Sequence, residues 1–309
     1  MELKSWTYEE FPEFSGKIED AKTIKTSGED IGVRYLPDVL YADVDGTELH
    51  LQILQPYTRN HPEKKYPCIV WVQGSAWMQQ DVKGNLPMYS RLAARGYVVA
   101  IVQYRHSGIA AFPAQIQDAK NAIRYMRKYA EEYGVDSDSI LVGGDSSGGH
   151  TAVFCGIVKD NDELDHNLFP GISAEVKGVI DYYGAVSLMY EDGFPSTVDH
   201  HLPDSPEGML MGHVNLRENK ELCQKGSAEC YITPELQMAP TLILHGTKDR
   251  TVNTYESVQL YEKMKSCGKQ VELYLLEGAD HGGAEFWTED VCRLVDEFVQ
   301  DCIKVEFIR

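Results

Sequence analysis

The stretch Ser139-Ile140-Leu141-Val142-Gly143-Gly144-Asp145-Ser146-Ser147-Gly148-Gly149-His150 constrains the fold more than any other part of the chain. Ile140 to Val142 is a short apolar run that reads as a buried strand, and Thr151-Ala152-Val153-Phe154 continues as a helix. Between them, Gly144-x-Ser146-x-Gly148 is the strand–turn–helix pattern that holds a serine hydroxyl up from a sharp bend. A side chain at Gly144 or Gly148 would collide where strand and helix approach closely. The placement between strand and helix, rather than the five-letter string, gives the motif its weight.

The rest of the chain repeats that alternation. Val39–Val44 and Glu48–Leu54 flank Asp45-Gly46, a two-residue hairpin turn. Cys68–Val72, Tyr97–Val102, Val176–Tyr182, Thr241–Leu244 and Gln270–Leu276 are further apolar strands. Helices are predicted over Pro113–Tyr133, from Ser147, over Tyr255–Ser266 and over Glu285–Cys302. Strands alternating with helices imply an α/β fold, a mostly parallel sheet with helices on both faces. Residues 1–37 are polar and weakly periodic, and are expected to form an N-terminal arm packed on a single domain over 38–309. From Ser187 to Gln237 the rhythm breaks: Gly193, Pro195, Pro203, Pro206, Gly208 and Gly212 punctuate short helical pieces. That is too long for an ordinary loop and reads as a small cap over one end of the sheet.

Composition narrows the class of partner. Asp and Glu number 48 against 29 Lys and Arg, a formal net charge of -19. Such a field repels phosphate backbones and anionic membrane surfaces, which argues against nucleic-acid or membrane binding. The N-terminus, Met1 to Glu10, has no apolar leader core, and no apolar run is long enough to span a bilayer. The seven scattered cysteines carry no zinc or redox spacing and are expected to be reduced thiols in a cytoplasmic protein.

A serine hydroxyl is a poor nucleophile until a base takes its proton, and the base needs a third group to fix its tautomer. In a parallel sheet all three belong just after the carboxyl ends of different strands. Asp249, in His245-Gly246-Thr247-Lys248-Asp249, follows one such strand, and His281, in Gly278-Ala279-Asp280-His281-Gly282, follows another. Other bases fit less well. His150 is four residues past Ser146 on one helix and points back along it; His106, His200, His201 and His213 read as loop surface residues; His245 reads as a structural hydrogen-bonding residue. Asp280 is adjacent to His281 and badly placed to orient its ring. For the oxyanion, donors are expected from the backbone N–H of Ser147 and from the turn Gln73-Gly74-Ser75-Ala76-Trp77, chiefly Ser75 and Ala76.

On Gln73-Gly74-Ser75-Ala76-Trp77, Tyr104-Arg105, Phe112-Pro113-Ala114-Gln115, Gly144-Asp145-Ser146-Ser147-Gly148-Gly149, His245-Gly246-x-x-Asp249 and Gly278-Ala279-Asp280-His281-Gly282, the chain resembles the α/β-hydrolase carboxylesterases, the group of the hormone-sensitive-lipase-like and BD-FAE proteins. The resemblance covers roughly residues 38–302 and implies an α/β-hydrolase fold with Ser146, Asp249 and His281 as nucleophile, acid and base. It departs from the family in Gln73 for the usual His, Ser75 for a Gly, and Ser147 for the more usual Ala. It implies a serine esterase acting on short acyl esters, acetyl or feruloyl-type, of a small molecule or an oligosaccharide. Such chemistry needs no metal and no cofactor. Gly74, Trp77, Met78 and the 187–237 excursion are expected to line the substrate pocket. A serine exopeptidase and an inactive ligand-binding homologue are the other readings; related exopeptidases carry an additional large domain, and an inactive homologue needs a broken triad. The alternating tail Ile303–Ile308 reads equally as an edge strand pairing subunits of a homo-oligomer or as a tail packed on its own domain.

Overall fold

A computed structural model describes residues 3–160, 162–189 and 195–304. The hairpin expected at Asp45-Gly46 joins β1 (Gly32–Val44) to β2 (Thr47–Tyr57). Asp45 and Gly46 both have positive φ, 53° and 82°, the turn that matches the right-handed twist of paired strands. The strands β3 (Tyr66–Val72), β4 (Val98–Val102), β5 (Val135–Asp145), β6 (Val179–Tyr182), β7 (Thr241–Gly246) and β8 (Val271–Leu276) complete one eight-stranded sheet in the order β1-β2-β4-β3-β5-β6-β7-β8. Pairing is parallel from β4 through β8 and antiparallel only for β1–β2 and β2–β4.

The period-two alternation of the strands divides the core between two faces. Cys68, Val70 and Val72 of β3 join Val98, Ala100 and Val102 of β4 in one cluster, covered by α2 (Ala114–Lys128), α3 (Ser147–Ile157) and α6 (Thr254–Ser266). Ile69, Trp71, Val99 and Ile101 face the other way, against Tyr89 and Leu92 of α1 (Leu86–Ala93) and Val291, Val295 and Val299 of α7 (Glu289–Lys304). Buried apolar side chains recur along α2 at Ile116, Ala119, Ile123 and Met126, the spacing of a helix with one face inward.

Two expectations change here. β1 begins at Gly32, inside the segment set apart as an arm, and residues 3–30 form no strand or helix. That segment is not packed broadly on the domain: every residue but Gly28 is exposed, and it is held by Arg59 over the Tyr8 ring and by Asn60 Nδ2 donating to Ser27 O. Its apolar residues are too interrupted by charge to bury a continuous face. The tail reading concerned Ile303–Ile308; Ile303 and Lys304 end α7, and residues 305–309 lie outside the described residues.

Residues 195–238 carry α4 (Pro206–Leu210), α5 (Lys220–Lys225) and two single-turn 3-10 segments, with no strand. They attach to the loop after β7 through Thr197, whose N–H and hydroxyl both reach Arg250 O at 2.9 Å, and to the loop after β4 through Phe112 N–H on Leu210 O at 2.8 Å. Among the described residues no helix is long and apolar enough to cross a membrane.

Candidate active site

The turn between β5 and α3 is as tight as its glycines require. A Cβ at Gly148 would lie 1.9 Å from Val72 O, and one at Gly144 would lie 2.2 Å from Gly148 O. The close approach forces Ser146 into φ 54°, ψ -125°, a conformation that costs a non-glycine residue about 1–3 kcal/mol. Neighbours hold it there: Ser146 N–H donates to Tyr182 O at 2.9 Å, and Ser146 O accepts from His150 N–H at 3.1 Å. The hydroxyl is thereby lifted clear of the sheet end, half-buried.

Loops after β7 and β8 bring the two partners. His281 Nε2 lies 2.8 Å from Ser146 Oγ, and its Nδ1 lies 2.7 Å from Asp249 Oδ2. A carboxylate only accepts, so Nδ1 carries the ring proton and Nε2 is left to accept from the serine. The Asp249 carboxylate is fully buried. Burial alone would raise its pKa, but hydrogen bonds from His245 and His281 win, and the carboxyl sits well below the ordinary carboxylate range. Its other oxygen accepts from Thr251 and Val252 N–H, each at 2.8 Å. Tyr183, edge-on to His281 with ring centroids 4.9 Å apart, limits where the imidazole can swing.

His150 and His200 are engaged elsewhere. His150 is buried against Trp77 and shares a hydrogen bond with Gly226 O at 2.9 Å; burial pushes its pKa down to about 4. His200, read from the sequence as a surface residue, is buried instead, because Glu207 lies 2.9 Å from its Nδ1 and Thr251 O 3.0 Å from its Nε2. Asp280 accepts from Arg250 Nε at 2.7 Å and from the His281 N–H, so it braces the loop and does not meet the imidazole ring.

On the oxyanion side, Gly74 packs where a Cβ would lie 2.4 Å from Asp145 O, and Ala76 and Trp77 follow with φ 55° and 53°. The N–H groups of Ala76 and Ser147 make no hydrogen bond among the described residues. Ser75 N–H, expected as a third free donor, differs: it is taken by the Ser147 hydroxyl at 2.9 Å. Trp77 is buried with Ala185, Leu210 and Val252, forming the wall between the turn and the cap, while Met78 is half-buried and closes the turn by donating its N–H to Ser75 O at 2.9 Å.

Three residues support the site: His245, which the sequence marks only as a structural hydrogen-bonding residue, and Asp145 and Gln80, which sequence reasoning did not find. His245 Nε2 is 3.1 Å from Asp249 Oδ2, behind the acid. Asp145 accepts from Trp71 Nε1 at 2.8 Å and from Gly74 N–H at 3.2 Å, tying the turn at Ser146 to the oxyanion turn; burial raises its pKa to about 6. Gln80 donates to Gln73 O and Val102 O at 2.9 and 3.0 Å. His245 and Asp249 stand at an i, i+4 spacing across a turn, a signal a strand-end reading could have used; Asp145 and Gln80 leave none, since their partners are distant in sequence. Among the described residues no group of three or more His, Cys, Asp or Glu could hold a metal ion.

Comparison with known proteins agrees with this architecture. The BD-FAE family model matches residues 54–264, taking in Ser146 and Asp249 and ending before His281. The esterase LipC of Mycobacterium tuberculosis is 28% identical over 249 residues, which is 79% of this chain and 59% of LipC. The chain thus spans little more than half the length of such curated relatives, LipQ of the same organism being covered to 57%. A truncated carbohydrate esterase from gut microbiota superposes with a TM-score of 0.77 at 24% identity, covering 90% of this chain and 99% of that one. The esterase Est2 of Thermogutta terrifontis, whose structure with propionate is known, superposes at 0.66 with 27% identity over 88% of this chain and 94% of its own. With two thirds of the chain inside one family model, the chain belongs to the BD-FAE family.

Proposed function

We propose that this protein is a serine carboxylesterase in which Ser146 is the nucleophile, His281 the general base and Asp249 the group that orients it. The observation that carries the reading is the unbroken line Ser146 Oγ–His281 Nε2 at 2.8 Å and His281 Nδ1–Asp249 Oδ2 at 2.7 Å. Ser146 attacks the ester carbonyl as His281 takes its proton; the Asp249 carboxylate stabilises the imidazolium that forms. The free N–H groups of Ala76 and Ser147 receive the developing oxyanion, an effect worth about 10²–10³ in rate per donor. His281 then protonates the departing alcohol, and water repeats the cycle on the acyl-enzyme.

The acyl group in this proposal is short, acetyl first, on a small molecule or a sugar. Trp77, Ala185, Leu210 and Val252 fill the wall beside the oxyanion turn with buried side chains, which supports a shallow acyl site. The propionate held by Est2 and the carbohydrate esterase among the structural neighbours support the same direction. The free thiols Cys68, Cys155, Cys223, Cys292 and Cys302, all buried, support a reducing, cytoplasmic location.

The test is a panel of p-nitrophenyl esters from acetate to octanoate, together with acetylated xylo-oligosaccharides and an aminoacyl-nitroanilide, with Ser146→Ala as background. The reading expects turnover falling with acyl length and none in the variant. Faster cleavage of the nitroanilide than of any ester would assign a peptidase instead.

A further inference from the structure

Behind the oxyanion turn three hydroxyls meet. Ser75 Oγ donates to Met78 O at 2.6 Å and lies 2.8 Å from Tyr104 Oη. The Ser147 hydroxyl receives Ser75 N–H at 2.9 Å. Tyr104 and Ser147 are buried, 3% and 1% exposed.

The protons in this cluster can be placed by elimination. A carbonyl oxygen only accepts, so the one Ser75 hydroxyl proton goes to Met78 O. The contact between Ser75 Oγ and Tyr104 must then be supplied by the Tyr104 proton. The Ser147 oxygen, for its part, accepts the Ser75 N–H. The result is a directed circuit converging on Ser75: its N–H to Ser147, Tyr104 to its hydroxyl, and that hydroxyl to Met78 O. Bonds linked head to tail in a water-poor site polarise and stiffen one another. Its ends are anchored independently, since Tyr104 N–H donates to Gln80 Oε1 at 3.0 Å and Gln80 also holds Gln73 O.

Resting on the reading of Ser146 as nucleophile, we infer that Tyr104 and Ser147 are positioning residues for transition-state stabilisation, locking the 75–78 turn through this hydroxyl circuit so that Ala76 N–H and Ser147 N–H converge on the oxyanion. The Ser75 N–H serves as the anchor of the circuit and is no oxyanion donor. The two departures from family pattern at Ser75 and Ser147 thereby brace the same turn from two sides: the Ser147 hydroxyl holds the Ser75 N–H, and the Ser75 hydroxyl ties Tyr104 to Met78 O. Preorganised donors act mainly on the transition state, so the circuit should weigh on kcat and little on substrate binding.

The experiment compares wild type with Tyr104→Phe, Ser147→Ala, the double variant and Ser147→Thr, measuring kcat and KM on p-nitrophenyl acetate and affinity for a trifluoromethyl ketone that mimics the tetrahedral adduct. Each single variant is expected to lower kcat and ketone affinity by roughly tenfold, less than the about 10²–10³ lost with an oxyanion donor itself, since the donors remain and only their support is removed. KM should stay within about twofold, the pattern of an interaction made only in the transition state. The double variant should be no worse than the weaker single, because one circuit is broken either way, and Ser147→Thr should recover part of the loss. Unchanged or higher kcat in Tyr104→Phe and Ser147→Ala overturns the inference, as do losses that multiply in the double variant. Should Ser147→Ala fail to fold, Tyr104→Phe, which removes a single oxygen, decides alone. Ser146→Ala run alongside separates the two levels: a silent Ser146→Ala with Ser147→Ala at wild-type kcat defeats only the circuit, whereas turnover in Ser146→Ala defeats the nucleophile reading beneath it.

Discussion

The Nε2 of His245 lies 3.1 Å from Asp249 Oδ2, the same oxygen that meets His281 Nδ1 at 2.7 Å. One carboxylate oxygen is therefore shared by two imidazoles, one of them fully buried at the end of β7. His245 Nε2 also faces Val252 O at 3.1 Å, so both its neighbours are acceptors and the proton belongs on Nε2. Nδ1 then accepts from the Ser257 hydroxyl at 2.7 Å, which fixes the ring from the α6 side.

His245 should accordingly govern where Asp249 points. His245→Phe keeps the ring but removes the donor, leaving a buried carboxylate with one imidazole instead of two. We expect kcat to fall between roughly 10- and 100-fold, the scale of an ångström-level misplacement. Steady-state kinetics on p-nitrophenyl acetate with circular dichroism as a folding control checks this; full activity would make His245 purely structural.

The elbow is expected to tolerate no side chain at Gly148. A Cβ there would stand 1.9 Å from the Val72 carbonyl oxygen, and backbone cannot yield as a flexible side chain can. Gly148→Ala should destabilise the fold by about 3–5 kcal/mol, the range of exceptional single substitutions, and urea unfolding reads it directly. A variant of wild-type stability would mean that strand and helix separate more easily than this packing allows.

The pH dependence of stability should carry the mark of Asp181. This side chain is fully buried at the C-terminal end of β6 beneath Gly149 and Gly184, and it accepts a single N–H, from Gly184 at 2.9 Å. Burial raises its pKa to about 7. Because the folded state holds this proton more tightly than the unfolded chain, its contribution to stability is full below the ordinary carboxyl value of 3.8 and is lost as pH rises towards 7. Asp181→Asn, which cannot ionise, should gain melting temperature over wild type at pH 8. The gain should shrink as pH falls below the ordinary carboxyl value of 3.8, where both states of the wild type become protonated. A difference independent of pH would show that Asp181 does not titrate in this range.

The parts of the fold and site that were legible in the sequence were those with short-range signatures. Strands buried on both faces, as at Cys68–Val72, read as unbroken apolar runs, and the Asp45-Gly46 turn announced its hairpin through residues that accept positive φ. Ser146, Asp249 and His281 were legible because each closes a strand and sits among small residues. The supporting contacts were not: Trp71 to Asp145, Tyr104 to Ser75 and His200 to Glu207 depend on side-chain directions across elements, which periodicity does not encode. Ser75 illustrates the difference. Its position in the oxyanion turn was readable, but the capture of its N–H by the Ser147 hydroxyl was not.

Acyl selectivity should respond to the wall at Leu210. This cap residue is fully buried beside Trp77, Ala185 and Val252. Leu210→Ala opens space there, and the ratio of kcat/KM for hexanoate over acetate should rise by roughly tenfold, the discrimination that a methylene or two commands in an apolar pocket. An unchanged ratio would move the acyl site away from this wall.

The central claim, that Ser146 is a nucleophile activated by His281 and Asp249, is tested most directly by covalent labelling. Wild type, Ser146→Ala and His281→Ala are each incubated with a fluorophosphonate and analysed by intact-protein mass and peptide mapping. The account predicts one adduct per chain on the peptide containing Ser146, no adduct in Ser146→Ala, and labelling slowed by orders of magnitude in His281→Ala. Equal labelling of Ser146→Ala, or an adduct mapped to another serine, would contradict it.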